Sequence, residues 1–266
     1  MAETPEYVTL RWRLSVFRSR WRDRLRYVLN APRVYQNWWA MPLPKLGIDV
    51  VLRLRDGSRY HVRGNTRDLS VVNEQAFSNP YLGSGFVTLN ADSVVVDVGA
   101  NIGDFAIMAA RRCPAGRVVA IEPLRSAGQM IDAQARLNGV TNITWIHGVL
   151  SDRNGASAAN RPGSDYDTAD GAAEQVESHT LPQLMADLHL DCIDLLKIDC
   201  EGAEWDILPA AGVVLPRVRQ IAMEFHCERG WTVEKLANWL TSHGFVVRHT
   251  EGPGIGLLWA RRESDI

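Results

Sequence analysis

The sequence predicts an α/β fold, a mostly parallel sheet with crossover helices, preceded by a helical arm and a β-hairpin. Three observations carry this. From about residue 93, apolar strand-sized runs alternate with helix-length segments. Before them, two alternating runs flank Asp56-Gly57, the strongest short hairpin signal. At the end, Phe245–His249 and Ile255–Ala260 flank a Gly/Pro turn and read as an antiparallel pair at a sheet edge.

In order, residues 1–45 read as an Arg/Trp-rich helical extension, punctuated by aromatics and stopped by Pro42 and Pro44. Residues 46–92 hold the hairpin, over about 48–63, and a helical lead-in. The core, 93–266, has strands at Val94–Val98, Arg117–Ile121, Ile143–Val149, Ile193–Ile198 and Arg219–Phe225. Helices are expected at 103–112, 124–138, 180–189, 204–210 and 231–243, with Asn138-Gly139 and His243-Gly244 as stops. Residues 151–175, polar and rich in Gly, Ala, Ser and Asp, read as a loop or irregular hairpin beside the sheet.

Composition narrows the function. With 46% hydrophobic and 23% charged residues the 266-residue chain is of ordinary globular type. Its apolar runs are strand-sized, so no membrane span is expected. The first 25 residues lack the layout of a secretory signal, and four widely spaced cysteines form neither C-x-x-C nor a zinc pattern. A cytoplasmic protein with reduced thiols is expected. The net charge of −2 hides an asymmetry: eight arginines and one acid between Arg11 and Arg33 carry +7, leaving −9 elsewhere. The arm is read as a helix packing its apolar stripe on the core or, in a homodimer, on a second subunit, rather than binding nucleic acid.

The most informative segment is Val94–Phe105, a buried-type strand running into Asp97-Val98-Gly99-Ala100-Asn101-Ile102-Gly103 and a helix. Such a turn places Gly99, Ala100, Asn101 and Gly103 beside a ligand in the crevice at the strand ends. Nineteen residues after Gly103, a strand ends in Glu122, placed to accept hydrogen bonds from ribose hydroxyls. A dinucleotide fingerprint aligned on Gly99 would need glycine where Asn101 and Asp104 stand, and Asp104 at a helix start disfavours a pyrophosphate. An NAD-dependent oxidoreductase is thereby weakened. S-adenosylmethionine, which has no phosphate and carries two cationic groups, suits Asp97 and its neighbouring carboxylates.

D-x-G-A-N-x-G at 97–103, I-E-P at 121–123, L-S-D-x-x-G at 150–155 and above all L-L-K-I-D-C-E-G-A-E-W at 195–205 resemble the FkbM family of methyltransferases, with a similar preamble at Thr66-Arg67-Asp68, Glu74, Phe77 and Tyr81. The resemblance covers roughly residues 48–261 and implies a Rossmann-like class I methyltransferase sheet of seven strands with the last antiparallel. It also implies S-adenosylmethionine-dependent O-methylation of a small-molecule hydroxyl on a sugar, polyketide or other secondary metabolite. Transferred by motif, Asp97 and Gly99 line the methionine end, Glu122 the ribose, and the strand end at Ser151 and Asp152 the adenine. Asp152 fits equally the capping of the following turn. Cys200 departs from the expected valine, and its thiol suggests oxidation sensitivity.

For the chemistry, two strand ends collect acids and a histidine. In this fold Asp199 faces the transferable methyl group, with Glu201 beside it, while Glu204 reads as a partner of its helix dipole. His226 is the natural base, oriented by Glu224 or Asp199. Asp199, Glu201, Glu224 and His226 would also suit Mg²⁺ or Ca²⁺, and spacing does not separate these cases. Metal-independent chemistry is the reading adopted. The competing function is a nucleic-acid-binding or -modifying methyltransferase whose basic arm tracks phosphates.

Overall fold

The computed structural model describes residues 27–159, 174–200, 202–227, 232–250 and 255–263, in two compact units that divide after Phe77. Most of the predicted 1–45 extension, including its run of arginines up to Arg26, lies outside the described residues, as does Glu201.

The first unit opens with a helix at 27–34 (α1), followed by two 3-10 turns, Trp38–Ala40 and Leu43–Leu46, where the prolines end the helical run. The expected hairpin follows as β1 (Val50–Arg53) and β2 (Arg59–Val62), paired antiparallel. Its loop is closed by Asp56, whose Oδ1 accepts from Ser58 N at 2.8 Å, while Gly57 supplies a φ of 86°. Helix α2 (Asp68–Phe77) is anchored by a bidentate pair between buried Asp68 and Arg63, at 2.8 and 2.9 Å. Fully buried Tyr35 donates its hydroxyl to Asn73 Oδ1 at 2.8 Å, tying the chain after α1 to α2.

The second unit is built on β3 (Val94–Val98), α3 (Asp104–Arg112), β4 (Arg117–Glu122), α4 (Arg125–Asn138), β5 (Ile143–Leu150), β6 (Gly155–Ala159), β7 (Glu174–His179), α5 (Leu181–Asp187), β8 (Ile193–Ile198), α6 (Glu204–Ala210), β9 (Val218–His226), α7 (Val233–Ser242), β10 (Phe245–His249) and β11 (Ile255–Arg262). Its strands form one sheet in the order β10-β11-β9-β8-β3-β4-β5-β7-β6. The α/β class and every expected core strand are present, and β11 runs antiparallel to both neighbours, as expected of the last strand.

The strand count is corrected from seven to nine among the described residues. The segment read as a loop or irregular hairpin supplies β6, while Glu174–His179 forms β7, antiparallel to β6 and parallel to β5. β6 is the edge strand and β7 the strand next to it, and neither has enough apolar residues for a periodicity to announce it.

Core strands are buried on both faces because helices cover each. Val95 packs with Phe105 and Ala106 of α3 and Ile131 of α4, while Val96 and Val98 pack with α5, α6 and α7. Thr180 and Thr232 cap α5 and α7 by accepting from Gln183 N and Lys235 N. Gly139 ends α4 in the left-handed conformation, the expected stop. The parallel register aligns Val98 with both Ile121 and Ile198, and Ile198 with Met223. Residues following β3, β4, β8 and β9 are thus delivered to one edge of the sheet.

Candidate active site

At that edge the turn after β3 is set by backbone conformation. Gly99 has φ 73° and Gly103 φ 85°, and Asn101 takes the left-handed region at φ 50°. A Cβ on Gly99 would stand 1.8 Å from the carbonyl oxygen of Asp199, so glycine is needed for the close approach of the two turns as well as for its angle.

The N–H groups of this turn point inward. Gly99 N and Ala100 N both donate to Ile121 O at 3.0 Å, and Asn101 N donates to Glu122 Oε2 at 2.8 Å. Three of the turn's donors are thus committed within the protein. Glu122 Oε1 accepts from Leu124 N at 2.9 Å, and each carboxylate oxygen keeps a further lone pair.

Beneath the turn, Asp97 is fully buried in β3, and its Oδ1 lies 2.9 Å from Nζ of buried Lys197 in β8. The ammonium also donates to Gly99 O at 2.9 Å and sits 5.2 Å from the centre of the Tyr81 ring. Oδ2 of Asp97 has no hydrogen-bond partner among the described residues. The Tyr81 hydroxyl donates to Asp199 Oδ2 at 2.8 Å, its ring meets Phe105 edge-on, and its carbonyl accepts from Trp259 Nε1 at 2.9 Å. Asp199, whose own N–H donates to Val98 O, is thereby held from both sides.

The electrostatics of this edge are acidic. Burial raises Asp97 above the usual carboxylate range, against the pull of Lys197. Burial likewise pushes Asp104 up to about 8, partly opposed by Lys197, and Glu122 up to about 7, partly opposed by the Leu124 and Asn101 N–H donors and then by Lys197. Burial disfavours the Lys197 ammonium, but Asp97 and Asp199 outweigh it and hold the lysine cationic. Burial keeps the Tyr81 phenol and the Cys200 thiol protonated, Asp199 reinforcing the first and Glu204 the second. A protonated thiol is a poor nucleophile, which argues against the expected oxidation sensitivity of Cys200.

At the end of β9, His226 is 7% exposed, with Nδ1 3.1 Å from Glu204 Oε1 and Nε2 3.7 Å from Glu224 Oε1. Glu204, expected only at its helix dipole, is the near partner, and Glu224 the farther one. Ser151 Oγ accepts from Arg153 N at 3.2 Å, capping the turn after β5, while exposed Asp152 pairs with Arg153 at 3.2 Å. Capping falls to Ser151 rather than Asp152. A cleft of about 880 Å³ opens beside β6 and β7, lined by Arg125, His147 and His179 among others, and includes none of these site residues.

Sequence reasoning missed Lys197, Tyr81 and Glu204 as parts of the site. The legible signal for the first was a lone lysine in the apolar run Ile193–Ile198, which has to be paired if buried.

Comparison with known proteins matches this edge to one family. The family model described as Methyltransferase FkbM domain matches residues 97–247, from Asp97 into β10. The 31-O-demethyl-FK506 methyltransferase FkbM of Streptomyces tacrolimicus is 30% identical over 247 residues, covering 77% of this chain and 93% of that protein. AMB antimetabolite synthetase AmbE of Pseudomonas aeruginosa is 30% identical over 238 residues, 71% of this chain but 11% of that much longer protein. Methyltransferase 1 of Beauveria bassiana is 28% identical over 144 residues, and the match spans 57% of its length. Among solved structures, a methyltransferase FkbM from Methylobacillus flagellatus superposes with a TM-score of 0.52 at 18% identity, covering 72% of this chain and 53% of that one. A SAM-dependent methyltransferase from Agrobacterium tumefaciens gives 0.52 at 15% identity, covering 82% and 70%. These two show the fold alone. On the family match, the chain belongs to the FkbM methyltransferase family.

Proposed function

We propose that this chain is an S-adenosylmethionine-dependent O-methyltransferase acting on a hydroxyl of a small molecule such as a sugar, a polyketide or another secondary metabolite, in the cytoplasm. The observation that carries the cofactor reading is the inward turn after β3. Its N–H groups are spent on Ile121 and Glu122, and buried Asp97 and Glu122 and half-buried Asp104 are acids raised above their ordinary range. A site with donors withdrawn and carboxylates crowded favours a cationic ligand over a pyrophosphate. The bare Asp97 Oδ2 fits such a ligand, and Glu122 keeps lone pairs for ribose hydroxyls. When bound, S-adenosylmethionine would supply a methyl group on a positively charged sulfur that keeps the bonding electron pair as the group passes to the acceptor oxygen.

The chain's own residues then align the acceptor and remove its proton. Asp199, with one oxygen engaged by Tyr81, leaves the other to orient a hydroxyl, and His226 receives the proton. Glu224 stands near His226 Nε2 to stabilise the imidazolium. For oxygen as the methyl acceptor, support comes from the Streptomyces relative, whose name gives 31-O-demethyl-FK506 as its substrate.

Titration calorimetry with S-adenosylhomocysteine and with NAD tests the reading. Binding of the first alone is expected, weakened in Asp97→Ala and Glu122→Ala. No binding of S-adenosylhomocysteine, or a response to NAD, would overturn it.

A further inference from the structure

We propose that Glu204 is a positioning residue for proton removal: it fixes His226 in the tautomer that carries its hydrogen on Nδ1, so that the ring's basic lone pair is on Nε2. The proposal rests on the methyltransferase reading with His226 as the base, and adds a residue to it.

Geometry assigns the donor. Glu204 is fully buried at the start of α6, and its Oε1 accepts from Gly202 N at 3.2 Å and Cys200 N at 3.3 Å. With the Cys200 thiol at 3.7 Å that oxygen faces three donors, and as a carboxylate oxygen it only accepts. The imidazole nitrogen 3.1 Å away, Nδ1, must therefore donate to it. The hydrogen on Nδ1 leaves Nε2 with a lone pair in the neutral ring. Nε2 is turned to Glu224, whose side chain is 28% exposed, so it lies on the more open side of the ring.

Backbone contacts keep the pair in register. Trp205, next to Glu204 and 7% exposed, donates its indole N–H to His226 O at 2.5 Å. The start of α6 thus grips both the main chain and the side chain of His226.

A capping role alone does not account for a carboxylate. Cys200 N and Gly202 N would be served by an uncharged acceptor such as Asn or Ser. Glu204 instead buries a charge-bearing group whose Oε2 has no hydrogen-bond partner among the described residues, a costly arrangement. The cost is offset where a positive charge appears beside it. As the acceptor hydroxyl gives its proton to Nε2, the ring becomes an imidazolium with Glu204 on one nitrogen and Glu224 near the other.

Nitrogen-15 NMR of histidine-labelled protein reads this directly and needs no acceptor substrate. In the unsubstituted protein at neutral pH, His226 is expected as the Nδ1–H tautomer. Glu204→Gln keeps an acceptor but removes the charge, so the His226 titration is expected to move to lower pH. An Nε2–H tautomer in the unsubstituted protein overturns the proposal, even if Glu204→Gln does not fold. An unchanged titration in a folded Glu204→Gln variant also overturns it. Calorimetry with S-adenosylhomocysteine on the same sample separates the two readings: an Nδ1–H tautomer without binding would sink the methyltransferase reading while leaving the Glu204–His226 assignment intact.

Discussion

Asp97 and Lys197 stand directly opposite one another in the parallel register of β3 and β8, with Oδ1 and Nζ 2.9 Å apart and side-chain exposures of 0% and 4%. Each would be a severe burial penalty alone; together they neutralise one another and clamp the turn that the cofactor is proposed to meet, because the same ammonium also binds Gly99 O.

Breaking one side of this pair is expected to cost more than removing both. Lys197→Met leaves Asp97 buried with no counter-charge and should lower unfolding stability by about 3–5 kcal/mol. Asp97→Asn combined with Lys197→Met should recover part of that loss. Urea denaturation of the two single variants and the double variant measures it, and additive losses would count against a coupled pair.

The raised acids give a pH dependence with a definite sign. Glu122 (about 7) and Asp104 (about 8) hold protons in the folded protein at pH values where the unfolded chain has lost them. Their contribution to stability is fully present below about pH 4 and is lost as pH rises through 7 and then 8. A cationic ligand prefers the ionised acids, so binding should release protons and tighten as pH rises through the same window. Calorimetry of S-adenosylmethionine, whose sulfonium S-adenosylhomocysteine lacks, in buffers of different ionisation enthalpy reads the proton count; net uptake would contradict the assignment.

Gly99→Ala and Gly103→Ala are expected to differ. At Gly99 the new Cβ meets the Asp199 carbonyl at 1.8 Å, so the turns after β3 and β8 must separate. At Gly103 the nearest atom is Cγ1 of buried Ile131 at 3.2 Å, a tight contact that a shift of a few tenths of an ångström relieves, added to the left-handed backbone penalty of about 1–2 kcal/mol. Thermal unfolding and S-adenosylhomocysteine affinity should both fall further in the first variant, and equal effects would show that the close approach is not limiting.

The features legible in the sequence were those written locally. β3 and its turn show as a continuous apolar run ending in Gly99, and Glu122 follows at a fixed offset from Gly103. The last two strands at one side of the sheet, β7 and the edge strand β6, were hidden because pairing near the margin of a sheet needs little apolar surface. Partnerships were hidden by distance along the chain: Tyr81 reaches Asp199 across 118 residues, and Lys197 reaches Gly99 across 98. Glu204 looked like a local helix-dipole acid because its companion His226 is 22 residues on and meets it only through the β8–β9 pairing.

Tyr81→Phe isolates the longest of these links. The substitution preserves the ring, its edge-on contact with Phe105 and its place beside Lys197, and removes only the hydroxyl that donates to Asp199 Oδ2 at 2.8 Å. A lost hydrogen bond to a carboxylate is expected to cost about 1.5–3 kcal/mol of stability. The effect on function should be selective. Asp97, Glu122 and the turn at Gly99 are untouched, so S-adenosylhomocysteine affinity should change little. Asp199, released from one of its two anchors, should position an acceptor hydroxyl less well, and the methyl-transfer rate should fall by more than cofactor affinity does. Calorimetry of Tyr81→Phe, paired with a methyl-transfer assay on a hydroxylated acceptor, checks both. A variant that loses cofactor affinity as steeply as rate would place Tyr81 among the cofactor's supports rather than the acceptor's.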